Sequence, residues 1–427
     1  MALPSTLAYG PKKDAVNATL FNMISTPLNG STCNPLDVLT VPISGVGKYG
    51  MYLDPAQTFL SFQIFNPSAT AIVLDNSAYS CIERISVVCS GSVISDLLNF
   101  QAYAALMLDQ APQSARSTGM SVALGCDGTA AQTPNNNRRG ATIANGGSLN
   151  VILPLIGTAI DQSSCDKLIP VGAMSDLQLL IYVSSAPNAV VAAGTPSIPW
   201  QLRNFRLNQT LVQIDGGAQA LVDEATGGVY KWSSSLWRAF NSTTGATDGG
   251  NAVIVPIKAS SVKGTMTIWR PTASNENFQA NWASGRHNPF GALSSTAFGS
   301  FFATVGSQSV PQIPLRTVPE FFASLENSFH SLNVPGAYDS SLVAGDFDVA
   351  AGSSSQAPVG SFVAALNMEA FSMKSGVCHS GLNVTGGTTM ILQAVYPTAL
   401  TATQQITTFV NYDAIMEVSG GQAICSW

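Results

Sequence analysis

Charge is what this 427-residue chain has least of. Asp, Glu, Lys and Arg together make up 10%, against roughly 25% in an ordinary soluble domain. A surface so poor in charge is clothed in Ser, Thr, Asn, Gln and Gly, or covered by other subunits. Cations are scarcer still, 18 Lys and Arg against 24 Asp and Glu, for a net charge of -6. Neutralising phosphates takes a lysine and arginine patch. None is visible, so direct sequence-specific nucleic-acid binding is not expected. The pair Arg138-Arg139 stands alone in "TPNNNRRGAT" and reads as a solvated loop tip or a subunit contact.

Histidine is also scarce: His287, His330 and His379, far apart. His379 follows Cys378, but neighbours on a strand point to opposite faces and do not make a thiol–imidazole pair. His330, beside Phe329, reads as structural. The cysteines, Cys33, Cys81, Cys89, Cys126, Cys165, Cys378 and Cys425, include no C-x-x-C pair. They read as buried free thiols suited to a reducing compartment, not as a disulfide framework or a zinc site. "GDFDVAAG" opens like a calcium loop at Asp346 and Asp348 but lacks the closing glutamate. Asp413 and Glu417 share one strand face, which reads as solvated or interface-facing and not as an acid–base pair. Phosphate loops, dinucleotide fingerprints and H-E-x-x-H are absent. No catalytic, cofactor-binding or metal-ligating residue is assigned, no cofactor is expected, and the chain reads as a non-enzyme.

Long apolar runs are missing too. "LQLLIYVSSAPNAVVAAGTPSIPWQL" is interrupted by Pro187, Gly194, Pro196 and Pro199 and does not suit a membrane helix. The first twenty residues lack an apolar core behind a positive start, so a signal peptide is not expected. The sequons at Asn17, Asn29, Asn208, Asn241 and Asn383 fit chance in a chain rich in Asn, Ser and Thr.

What the chain does have is period-two alternation. Leu60, Phe62 and Ile64 share a face, as do Leu149, Val151, Leu153 and Leu155; Leu177, Leu179, Ile181 and Val183; Phe362, Ala364, Leu366, Met368 and Ala370; and Ile406, Val410, Tyr412, Ala414, Met416 and Val418. That is the mark of strands with one face in a core. Long turn-rich clusters separate them. Two segments read as helices: one N-capped at Ser95 and stopping before Pro112, the other with Pro319 in its first turn and a Phe322, Leu325, Phe329 and Leu332 stripe. Many strands with long loops and about one helix per half predict a mainly β fold of sandwiches or jelly rolls. The proline- and glycine-rich stretch 192–200 is the best boundary. It divides the chain into an arm (1–34), a first jelly roll (35–198) and a second (199–427).

The stretch "LDNSAYSCIERISVVCS", Leu74–Ser90, holds more polar chemistry than its surroundings. Asp75 and Asn76 read as turn formers. Ile85, Val87 and Cys89 read as one strand face, with Arg84, Ser86 and Val88 on the other. Glu83 and Arg84 point to opposite sides, and Cys81 and Cys89 lie too far apart to share a metal if the strand is unbroken.

In order, "YLDPAQTFLSFQIFN", that stretch with its "ISDLLNFQAY" continuation, "CDKLIPVGAMSDLQLLIYV", "VIVPIKASSVKGTMTIWRP", "GSFVAALNMEAF", "SGLN" and "TFVNYDAIMEVSGG" resemble the double jelly-roll major capsid proteins of tailless icosahedral DNA viruses. Asn76 stands where that pattern favours Gly, and the loops 112–147 and 271–312 depart from it. The resemblance implies a structural protein of the virion, assembled inside the host cell. It implies a homotrimer of pseudo-hexagonal outline tiling an icosahedral shell, with minor capsid or penton proteins as partners and an internal membrane beneath many such shells. The alternatives are a single jelly-roll capsid protein with a protruding domain, a secreted β-sandwich adhesin or glycan-binding module, and a β-sandwich hydrolase.

Overall fold

The computed structural model describes residues 17–127, 139–161, 167–185, 190–191, 199–245, 249–272, 286–291, 296–328, 342, 347–348, 360–370, 380–386, 388–400 and 403–427. His330, Cys165, Cys378, His379, Asp346 and Arg138 lie outside the described residues.

The first half contains β1 (Ala18–Ser25), β2 (Val38–Pro42), β3 (Met51–Phe65), β4 (Ile72–Asp75), β5 (Ile82–Cys89), β6 (Ser92–Leu98), β7 (Arg139–Ile143), β8 (Ser148–Pro154), β9 (Gln178–Val183), β10 (Val190–Val191) and β11 (Gln201–Ile214). They form an antiparallel sheet β1-β11-β3-β8, a second sheet β2-β9-β5-β6, and a small third sheet β10-β4-β7. The alternation decides which faces turn inward: Leu60, Phe62 and Ile64 of β3, Val151 and Leu153 of β8, Ile85 and Val87 of β5, and Leu179 and Ile181 of β9 are all buried. Phe62 and Phe205 stack across β3 and β11, with centroids 5.2 Å apart. The β5–β6 hairpin closes in two residues, Ser90 and Gly91, both at positive φ (48° and 80°). That is the turn whose twist matches the strands it joins.

The second half contains β12 (Tyr230–Thr244), β13 (Gly250–Val255), β14 (Val262–Pro271), β15 (Ser300–Val305), β16 (Gln308–Leu315), β17 (Ala364–Asn367), β18 (Met390–Val395), β19 (Gln404–Ser419) and β20 (Gln422–Ser426). One sheet runs β12-β19-β14-β17, with β20 on β19; the other runs β13-β18-β15-β16. Between them lies an aromatic core. Trp269 meets Phe290 and Phe301 edge-on at 5.1 and 5.7 Å, Phe290 stacks on Phe321 at 4.8 Å, and the Trp269 indole N–H reaches Tyr396 Oη at 3.1 Å. The halves share a plan. β1 lies beside β11 and then β3, as β12 lies beside β19 and then β14; β2-β9-β5-β6 matches β13-β18-β15-β16 in the same way. The chain is therefore two consecutive antiparallel sandwiches, a double jelly roll.

Three expectations are corrected. The break at 198/199 falls inside the first sandwich, because β11 pairs along its length with β3 and β1. For the same reason the arm 1–34 contributes a strand of that sheet. The sandwiches are joined instead by a helix the alternation did not suggest, Gly216–Thr226, capped by the Asp215 carboxylate on Gly217 N (3.2 Å) and ended by Gly227 at φ 63°. Second, Ser95 is not an N-cap. It sits in β6, where pairing with β5 and burial of Leu97 outweigh helix propensity, and the helix begins at Phe100 after Asn99 (φ 51°). Third, the later helix spans Val318–Ser328; Leu325 of the expected stripe is buried, but Val318 and Phe321 share its buried face while Phe322 is only partly buried, and Phe329 and Leu332 lie outside the described residues. Glu320 caps its start by accepting from the Arg316 and Thr317 amides at 2.7 and 3.1 Å. The helices are α1 (Phe100–Asp109), α2 (Gln113–Ser117), α3 (Gly119–Leu124), α4 (Gly216–Thr226) and α5 (Val318–Ser328). None among the described residues is long and apolar enough to cross a membrane.

Candidate functional site

The two sandwiches meet along a buried seam, and most of the chain's unusual side chains converge there. α1 leaves β6 at Asn99 and lies against the outer face of β12-β19-β14-β17. The Tyr103 ring sits 5.2 Å from Trp237 and 5.8 Å from Phe409. Space for that ring depends on Gly157 (φ 70°), where a Cβ would come within 2.5 Å of it. Asn99 donates to Asn241 Oδ1 at 2.9 Å. At the far end Ser175 donates to the Gly421 carbonyl through both its amide and its hydroxyl, each at 2.8 Å.

Charge is concentrated at the centre of this contact. Asp109, the last residue of α1 and 2% exposed, accepts from Arg116 Nη1 at 2.9 Å through Oδ1 and from Arg286 Nη2 through Oδ2. Arg116 reaches on to Asn76 Oδ1 at 3.0 Å. Arg270 of β14 donates to Thr407 Oγ1 at 3.0 Å and approaches Asn99 Oδ1 at 3.5 Å. Burial pulls its pKa down to about 10, with the Asp75 carboxylate acting in the opposite sense. A buried guanidinium without a counter-charge is expensive, so each sandwich supplies what the other needs: Asp75 and Asp109 from the first, Arg270 and Arg286 from the second. The arrangement fixes angle and register between the halves.

A second tie runs through α4. Asp223 accepts from Tyr230 Oη, from Gln219 Nε2 at 2.7 Å and from Tyr49 Oη at 3.1 Å, and Tyr52 Oη donates to Gln219 Oε1 at 2.8 Å. The Tyr230 hydrogen bond is the main cause of the lowered Asp223 pKa. Tyr52 belongs to β3 and Tyr230 to β12, so the connector is fastened to both sandwiches. The cleft of about 350 Å³ here has its carboxylate occupied by neighbours. Another cleft, about 370 Å³, opens where the seam ends, between Asp161, Trp237, Lys263, Asn367, Glu369 and Asn411. Lys263 Nζ lies 3.4 Å from Asp413 and 3.7 Å from Glu369.

The residues singled out from the sequence fall mostly into this scheme, though not in the roles expected. Asp75 and Asn76 are 1% exposed. Asn76 does turn the chain, at φ 72°, but its side chain faces Arg116, and Asp75 lies near Arg270. Ile85, Val87 and Cys89 point inward as expected. Arg84 pairs with Asp96 of β6 through Nε at 2.7 Å and Nη2 at 2.8 Å, and Glu83 takes no part. Asp413 is not solvated: it is 2% exposed and accepts from Ser261 Oγ at 2.7 Å, while Glu417 pairs with Lys231 at the surface. Cys33, Cys81, Cys89 and Cys126 are buried free thiols, with Cys81 pushed up to about 12 by desolvation, and Cys425 is half-buried. Asp348 lies 3.4 Å from Asn288 Nδ2. Among the described residues no group of His, Cys, Asp and Glu is placed to hold a metal. The residues sequence reasoning passed over are Asp109, Arg116, Arg270 and Arg286.

Outside the seam, much apolar surface is uncovered. β1 exposes Leu20, Phe21, Met23 and Ile24 on both of its faces, and β13 and β18 expose Ile254 and Val395. The edge strand β16 carries Pro311 and Pro314, which have no amide hydrogen to offer another strand.

Comparison with known proteins places this geometry. No protein-family model and no curated protein matches the chain. Solved structures do match over nearly its whole length. A quasi-atomic model of the PBCV-1 virus capsid superposes with a TM-score of 0.63 at 10% identity, covering 98% of this chain and 99% of that one. The Faustovirus major capsid protein gives 0.60 at 9% identity, covering 97% and 92%. The mavirus major capsid protein gives 0.50 at 12% identity, covering 100% and 95%.

Proposed function

We propose that this chain is the major capsid protein of an icosahedral virus, a structural component of the virion and not an enzyme. The observation that carries the reading is the likeness of the whole two-sandwich chain, end to end, to viral capsid proteins. The buried seam supports it. Two similar sandwiches held at a fixed angle present two similar edges from one polypeptide, and three copies then close a ring of six edges, a pseudo-hexagonal block that tiles a lattice. Low charge and uncovered apolar strand faces suit a molecule that spends its life against its own copies. Minor capsid or penton proteins and an internal membrane under the shell are further partners of the same reading. We place the domain division at α4, with the first sandwich ending at Ile214 and the second starting at Tyr230.

Native mass measurement and negative-stain microscopy of the purified protein test this. Compact trimers of hexagonal outline are expected. A monomer that persists at high concentration would overturn it.

A further inference from the structure

Asp75 and Asp109 meet arginines, whose guanidiniums stay charged and do not act as nucleophiles. Asp413 of β19 is as deeply buried but meets a lysine, Lys263 of β14, and an amine can attack a carboxyl carbon. The backbone aims that lysine. Val262 pairs with Tyr412 and Gly264 with Asn411, so Lys263 is the extra residue of a β-bulge, a feature that redirects the side chain it carries. The Lys263 carbonyl accepts from the Met368 amide at 2.8 Å, which fastens the bulge to the chain leaving β17.

Two carboxylates flank the amine. Lys263 Nζ lies 3.4 Å from Asp413 Oδ1 and 3.7 Å from Glu369 Oε1. Both distances exceed the roughly 2.7–2.9 Å of a settled ammonium–carboxylate hydrogen bond, so the amine is locked to neither. Each carboxylate is itself held by a hydroxyl. Ser261 Oγ donates to Asp413 Oδ2 at 2.7 Å and accepts from the Gly381 amide at 2.9 Å; Ser380 Oγ donates to Glu369 Oε1 at 2.7 Å. Lys263 and Glu369 line the 370 Å³ cleft beside Trp237 and Met266, which gives water a way out. The pair Lys231 and Glu417, between β12 and β19, is the contrast: 2.9 Å apart, exposed, and an ordinary surface ion pair.

We propose that Lys263 and Asp413 join through an isopeptide bond, formed once within each folded chain, with Glu369 carrying the protons. Glu369 takes a proton from the Lys263 ammonium and passes it to Asp413 Oδ1, leaving a neutral amine beside a neutral carboxyl. Nζ attacks Cγ. The new C–N bond puts negative charge on Oδ2, where the Ser261 hydroxyl meets it. A second proton travels through Glu369 from Nζ to Oδ1, the Cγ–Oδ1 bond breaks, and Oδ1 leaves as water into the cleft. Ammonium and carboxylate become amide and water; Glu369 ends as it began, and nothing is oxidised or reduced. Groups held together by the fold react as though highly concentrated, so no other reactant is required. The event is a maturation of the chain itself and not turnover of a substrate. It ties β14 to β19, the two central strands of their sheet, which then cannot part without breaking a covalent bond. It does not depend on the chain being a capsid protein.

The test is the intact mass of the purified full-length protein under denaturing conditions, followed by peptide mapping. Folded wild type is expected to be one water lighter than its sequence mass, with a branched peptide joining the segments around Lys263 and Asp413. Lys263→Met and Glu369→Gln are expected at their full masses, with circular dichroism confirming that they fold. The wild-type measurement needs no variant: folded protein at its full sequence mass would leave an ion pair only and overturn the proposal. A branch ending on Glu369 or Asp161, or a water lost without any branch, would overturn it equally. Branching that persists in Glu369→Gln would overturn the role given to Glu369.

Discussion

Replacing Asp109 by Asn tests the seam most directly. The substitution keeps the size and one carbonyl oxygen, removes the charge facing Arg116 and Arg286, and turns an amide N–H₂ toward one of them. Both guanidiniums are buried, at 3% and 0% exposure, so neither can turn to water. Removing one partner of a buried ion pair costs about 3–5 kcal/mol, because the surviving charge stays desolvated. An unfolding entropy of about 2.1 cal/mol/K per residue over 427 residues gives about 0.9 kcal/mol/K. The expected fall in Tm is then about 3–6 °C, by differential scanning calorimetry at fixed protein concentration. The double variant Asp109→Asn, Arg286→Met removes one stranded cation and should recover about half of the loss, since apolar replacement of buried pairs is often neutral. A single variant within about 1 kcal/mol of wild type, or a double variant no better than the single, would refute the argument that the seam's charges depend on each other.

Two further outcomes follow from the same burial. Desolvation holds His287 at about 4 in the folded chain, against an ordinary value of 6.5; the unfolded chain therefore binds a proton first as pH falls, so this contribution is full above 6.5 and is lost between 6.5 and 4, up to about 3 kcal/mol. His287→Asn should flatten that part of the denaturation midpoint against pH relative to wild type, and parallel curves would discount it. Asn76 combines a positive φ with the bond to Arg116. Asn76→Ala should lose both, and Asn76→Gly should be the more stable of the two by about 1–2 kcal/mol in urea denaturation; equal losses would show that backbone strain plays no part.

Alternation was legible wherever one face of a strand is buried, as in β3, β8 and β9, because period two is a direct record of a single wet side. It misled on β19. Ile406, Val410 and Tyr412 read correctly as core, but the face of Asp413, read as solvated or interface-facing, is buried: Tyr103 of the other sandwich lies on Phe409, and Ser261 and Lys263 of its own sandwich hold Asp413. Burial on a second face depends on a partner surface far away in sequence, and local pattern does not carry that. The start of α1 was misplaced because the alanine- and leucine-rich run after Ser95 satisfies helix propensity, while the Ser90–Gly91 hairpin commits Ser92–Leu98 to a strand. α4 was in fact written locally, with Asp215 before it and Gly227 after it, and was overlooked amid the alternation. The ionic seam was the least readable. Asp109 and Arg286 are brought together by tertiary structure alone, and an arginine in "TIWRP" looks like any other until its burial is known.

The strand order has a consequence for how the molecule is made. In each half the first strand pairs with one near the end: Ala18 faces Ile214, and Tyr230 faces Val418. Neither sandwich can close until nearly all of its chain exists, and such non-local β topologies fold in milliseconds to seconds. Synthesis at about 5–20 residues per second takes roughly 10–40 s to add a second half of about 200 residues. The first sandwich, complete once β11 has emerged, is folded long before β19 appears. α1 and Asp109 are then a finished wall when Arg270 and Arg286 arrive, and the second sandwich forms against a template that its own chain has already built.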